Sequence, residues 1–84
     1  MEDDNRIMYG VYRVGGSIGE QSGYTKRING RAAKLLDTYY MKPNAKLRAK
    51  KLRQRLSPGE KGYYKMSYVV SELNKQEIAD TRFP

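Results

Sequence analysis

Between residues 42 and 56 the chain sets Ala45, Ala49, Leu52 and Leu56 on one side of a helix and positive charge around most of the rest. At 100° per residue these four fall within about 60° of one another. So narrow a seam can be covered from one side only. The helix must therefore lie on a broader apolar surface, and the fold has to supply one. Lys46, Lys50 and Arg53 line one flank of the seam, and Arg48, Lys51 and Arg55 line the other. Leu47 points away from it. With Lys42 the stretch holds seven basic residues and no acidic one. The residue before a proline avoids the α region, so Lys42-Pro43-Asn44 reads as a break with the helix starting at about residue 44. Ser57-Pro58-Gly59 reads as its end.

The remaining segments suggest what the helix rests on. Residues 6–14 are rich in β-branched and aromatic side chains, and both alternating sets, Ile7/Tyr9/Val11 and Met8/Tyr12/Val14, are apolar. That pattern predicts a strand covered on both faces, and Gly10 within it signals a bulge or a close approach. Residues 15–23 hold four glycines and read as a loop. Tyr24 to Ile28 reads as a short second strand or lead-in. Asn29 is a fitting N-cap for a helix over 31–41, where Ala32, Leu35, Leu36, Tyr39 and Tyr40 follow a helical apolar spacing. This helix should be core, with Leu36 buried. Residues 62–71 fit a strand better than a helix, with Tyr64, Met66, Tyr68 and Val70 on one face. Asn74 and Glu77 form a capping box for a last helix over 75–80, with Ile78 docking inward. The fold class is then α+β: one small domain over 1–84, short antiparallel strands and two central helices. Residues 1–5 are a frayed acidic lead.

A chain of 84 residues buries only about 60–65% of the surface it exposes when unfolded. It has no cysteine and no histidine, which excludes disulfide staples and leaves no zinc site; no cofactor or metal is expected. A homodimer is the expected way to bury more apolar area. No stretch approaches the roughly 20 apolar residues of a membrane span, and the acidic Met1–Asn5 is unlike a secretory signal, so a cytoplasmic protein is expected. The available acid–base groups, Asp37, Glu60, Glu72, Glu77 and Asp80 with lysines and tyrosines, show no catalytic spacing. The glycine loop has neither the Walker pattern nor the dinucleotide one. The chain is not expected to be an enzyme.

The charge balance is 17 basic to 9 acidic residues, a net +8. Like charges at 46/50, 51/55 and 50/53 repel along the helix, and a polyanion would offset that repulsion. The candidate nucleic-acid-binding residues are Lys42, Lys46, Arg48, Lys50, Lys51, Arg53, Arg55, Lys61, Tyr63 and Lys65. The basic side chains from 46 to 55 should stay in water and add little stability. Of the eight tyrosines, Tyr39 and Tyr40 suit the core, whereas Tyr63 beside Lys61 and Lys65 suits base stacking. RNA is the preferred partner and DNA the alternative. A rival class is a protein-binding inhibitor that docks its cationic face on a host enzyme. Third is a DNA-binding helix-turn-helix, since 31–41 and 44–56 loosely resemble one. Its second helix, however, bears Lys and Arg where base reading uses Asn, Gln and Ser. The chain has neither the aromatic core of an RNA-recognition motif nor the GXXG of a KH domain.

In size, charge and tyrosine content the whole chain resembles small accessory proteins of tailed bacteriophages, several of which blunt host defences. One class of these is small and basic and inhibits the RNA-cleaving toxin of a ToxIN-type (ToxN) toxin–antitoxin system by an RNA-linked route. The resemblance is one of general character, carries no motif and transfers no residue. It implies an RNA-linked, anti-defence regulator acting in the host cytoplasm.

Overall fold

The computed structural model describes residues 7–15 and 26–82. The acidic lead 1–5, Arg6 of the first expected strand, loop residues 16–23 and Tyr24 lie outside them. The elements are β1 (Tyr9–Val14), β2 (Lys26–Ile28), β3 (Arg31–Tyr39), α1 (Lys42–Gln54), α2 (Pro58–Gly62), β4 (Ser67–Glu72) and α3 (Lys75–Arg82). The strands form one antiparallel sheet in the order β2-β3-β1-β4. The class is α+β, as expected.

Residues 31–39 are a strand, not the expected core helix. The local reason is Asn29-Gly30. Both residues have positive φ, 53° and 81°, as a two-residue type I′ hairpin turn requires. Asn29 therefore turns the chain between β2 and β3 instead of capping a helix. The helical look of the segment comes from a bulge. Val11 pairs with Asp37 while Tyr12 pairs with Leu35, which leaves Leu36 as an extra residue on β3. On one side of it, Ala33 and Leu35 pack with Tyr12 and Val14. On the other, Tyr39 packs with Val11. A strand that switches faces halfway places its apolar residues at mixed spacings, and Ala32, Leu35, Leu36 and Tyr39 imitate a helical stripe. Leu36 itself is 40% exposed.

β1 runs through the middle of the sheet, which explains why both of its alternating sets are apolar. Val11 and Tyr12 are both buried, on opposite faces. Gly10 is the close approach its sequence suggests. A Cβ there would meet Leu35, Leu73 and Tyr12 side chains at 2.7–2.8 Å.

α1 lies on the Val11 face and packs on β4, β1 and β3. Ala45 and Ala49 are fully buried there, with Leu52, Tyr68 and Val70 packed around them. The Ala45, Ala49 and Leu52 part of the expected seam is thus the contact face, Leu56 lies past the end of the helix, and Leu47 is indeed turned out, at 54% exposure. The helix begins at Lys42, earlier than expected, because Pro43 sits in its first turn, where a missing N–H costs nothing. α1 ends at Gln54 with Arg55 as its cap, short of the expected end at Leu56, and Ser57-Pro58-Gly59 instead opens α2, which has its own capping box with Glu60.

On the opposite face, Glu77 of α3 reaches Tyr12 and Lys26. Glu77 Oε1 accepts the Asn74 amide at 2.9 Å, and Asn74 Oδ1 accepts the Glu77 amide at 2.8 Å, completing the capping box read from sequence. Ile78, expected to dock inward, is half-buried, and Glu77 is the buried residue, 1% exposed. Its carboxylate takes the Tyr12 hydroxyl at 2.5 Å and Lys26 Nζ at 3.0 Å, and Lys26 lies 4.5 Å from the Tyr12 ring centre. A lone buried carboxylate would cost several kcal/mol, and these donors offset that. Among the described residues no helix is long and apolar enough to cross a membrane.

Two substitutions separate the strand from the helix in chemical denaturation. Gly30→Ala should cost about 1–2 kcal/mol, since the turn holds it at positive φ. Leu36→Asp should cost less than about 1 kcal/mol, as surface changes do. The core helix would give the reverse: a mild Gly30→Ala and an unfolded Leu36→Asp.

Candidate nucleic-acid interface

Two alanines hold α1 close to the sheet, so its long basic side chains leave along the sides. On the β4 side, Lys46, Lys50 and Arg53 form one wall of a groove of about 480 Å³ with Ala49, Val69 and Val70. Lys50 and Arg53 also line an adjoining pocket of about 410 Å³, completed by Gln54, Leu56, Lys61, Met66 and Ser67. The two cavities share those residues and make one path from Lys46 to Lys61. None of the described lining residues is acidic.

The β3 side is different. Its cavity of about 270 Å³ is lined by Tyr39, Asn44, Leu47, Arg48 and Lys51. Here Arg48 Nε donates to Asp37 Oδ2 at 3.2 Å, so part of the charge is compensated. The bulge at Leu36 makes this pair, because it turns Asp37 toward α1. The two flanks read as equals in sequence are therefore unequal in charge.

Local chemistry fixes the far end of the groove. Ser57 Oγ accepts the Glu60 amide at 3.2 Å, and Glu60 Oε1 accepts the Ser57 amide at 2.8 Å. This box starts α2, and the Lys61 amide bonds the Ser57 carbonyl at 3.0 Å. Tyr63 and Tyr64 follow, with rings edge to face, centroids 4.9 Å apart and planes at 87°. Tyr63 is 83% exposed. Lys65 is exposed, has φ of 53°, and its carbonyl accepts a hydrogen bond from Arg31 Nη2.

Of the candidate residues, Lys46, Lys50, Arg53 and Lys61 meet along the β4 groove. Arg48 and Lys51 lie on the β3 side. Lys42 is exposed at the start of α1, and Arg55 is exposed as its C-cap residue. Arg53 Nη1 donates to the Tyr68 carbonyl on β4 at 2.6 Å. Arg48 and Arg53 thus bond to the fold as well as face water, whereas the whole set is expected from the sequence to stay in water. Tyr39 packs on the core as expected, but Tyr40 is 48% exposed. Sequence reasoning did not find Gln54 and Ser67 as groove residues. Gln54 sits inside the basic run and could have been included. Ser67 reaches the groove only through the pairing of β4 with β1, for which it carries no local signal.

Comparison with known proteins finds no matching family model, no matching curated protein and no matching solved structure.

The Arg48–Asp37 pair is some two-fifths exposed on both sides, so water screens it. Asp37→Asn and Arg48→Gln should each cost less than about 1 kcal/mol, with a double-mutant coupling of about 0.2–1 kcal/mol. Urea denaturation of the four proteins measures this. A coupling above about 2 kcal/mol would mean the pair is a structural anchor.

Proposed function

We propose that this protein binds RNA as a single strand, holding its phosphates along the α1/β4 groove and stacking an unpaired base on Tyr63. The observation that carries the reading is the path of Lys46, Lys50, Arg53 and Lys61 with no acidic residue among its described lining. A helix selected only for solubility gains from mixed charges, and here Lys46/Lys50 and Lys50/Arg53 each repel at a cost of about 0.2–0.5 kcal/mol. A bound polyanion turns that repulsion into attraction. The exposed Tyr63 supports a single strand over a duplex, whose base faces are hidden in the stack. Phosphate contacts carry no sequence information, so selectivity should be weak.

Such a protein would regulate by occupying RNA, or by displacing a protein that binds it. A phage-encoded antagonist of an RNA-targeting toxin, the kind of protein the chain resembles in general character, would work in this way. A second reading, docking on a host enzyme, draws on Tyr40, Met41 and Leu47, all about half exposed at or near the start of α1.

The test reverses Lys46 and Lys50 to Glu together and leaves Arg53, with its bond to β4, in place. Fluorescence anisotropy with a single strand of about twelve nucleotides reads the affinity. The double variant should bind at least about tenfold more weakly for every sequence tried. Its log K against log salt should flatten by about 0.7 for each phosphate that is no longer neutralised. The thermal transition should not fall. Unchanged affinity with an intact fold would contradict the groove and leave the protein-docking reading ahead.

A further inference from the structure

The two halves of the groove differ in their neutral groups. Around Lys46 the walls are Ala49, Val69 and Val70, which offer no side-chain hydrogen bond. At the α2 end, Lys50 and Arg53 are joined by Lys61, by the Gln54 amide and by the Ser67 hydroxyl, with Leu56 and Met66 beside them. Three cations and two neutral donors line one cavity of about 410 Å³. A guanidinium has five N–H donors, so the bond from Arg53 to Tyr68 leaves others.

An internal phosphodiester carries one charge and two free oxygens. A terminal monoester carries about 1.5–2 charges near neutral pH and three acceptor oxygens. The α2 end has more positive charge and more donors than a diester uses. We propose that it is a seat for the terminal phosphate monoester of the bound strand. This rests on the reading of the groove as a strand-binding site and adds which ligand feature anchors it. The seat would fix where the strand starts and its direction along α1.

The surroundings hold the seat ready. The Ser57–Glu60 box sets α2, and the Met66 amide bonds the Glu60 carbonyl at 2.8 Å, which ties α2 to the start of β4. Glu60 is the nearest acid in sequence to Lys61. Its carboxylate is bonded to the Ser57 amide and is not among the cavity's lining residues. The charged groups among the cavity's lining residues are the three cations.

Three otherwise identical single-stranded RNAs of about twelve nucleotides test this: one with a 5′-phosphate, one with a 3′-phosphate, one with hydroxyls at both ends. Anisotropy titrations with the whole protein should show one phosphorylated strand binding at least about fivefold tighter than the hydroxyl-ended one. The end that gains gives the strand's direction. The advantage should shrink as pH falls from about 7.5 to about 5.5, because the monoester loses its second charge near pH 6. Lys61→Ala should weaken all three strands, since Lys61 is part of the groove, but should weaken the favoured phosphorylated strand several-fold more than the hydroxyl-ended one, so that most of the advantage is lost. Lys61→Gln serves in its place if the alanine variant lowers the thermal transition. Equal binding of all three strands overturns the seat and leaves the groove standing. Binding of none overturns both. A full advantage kept in a folded Lys61 variant overturns this location.

Discussion

The contact of Ala45 and Ala49 with Val11 decides where the helix charges go. All three are fully buried. With only a methyl group at each contact, the helix backbone sits close to the strands. Its lysines and arginines are then too long to stay beneath it and leave sideways. On one flank Arg53 reaches the β4 carbonyl of Tyr68; on the other Arg48 reaches Asp37. Larger residues in the seam would lift the helix and move both flanks away from the strands that complete them.

Val11 can hold that position because β1 is central. One strand supplies both cores: Val11 to the α1 face, and Tyr12 and Val14 to the other. The second core is tied off by Glu77, which joins β1, β2 and α3 through Tyr12, Lys26 and its own capping box. The division of labour is physical. The buried carboxylate with its donors lies on the Tyr12 side, and the cations of the groove lie on the β4 flank of α1. A ligand at α1, on the other face, need not disturb the buried charge.

What can be read in the sequence follows from how local each signal is. The α1 seam, its outward Leu47 and the Asn74–Glu77 box depend on spacings of three or four residues, and the structure has them. The central position of β1 is legible in its two apolar faces, and the close approach at Gly10 in the glycine itself. β3 reads as a helix because a bulge is a tertiary feature. Leu36 is displaced by the pairing of Val11 and Tyr12 with a distant segment, and the switch of faces copies a helical period. The local sign is present, since Asn-Gly between short apolar runs favours a hairpin, but Asn also caps helices. The basic residues of the site are legible as a set, while their division into a free flank and a paired one is not. That division needs Asp37 on the α1 face, which the bulge provides, and Ser67 beside Lys61, which sheet pairing provides.

If an RNA strand lies along the uncompensated flank of α1, amide and side-chain NMR shifts during titration with a short single-stranded RNA will show it, because they locate contact without altering a charge. The largest shifts should fall on Lys46, Lys50, Arg53, Lys61 and Ser67 to Val70, with the ring resonances of Tyr63 following, while Asp37, Arg48 and Lys51 move little. Shifts centred on Arg48, Lys51 and Leu47, or none at saturating RNA, would contradict that placement.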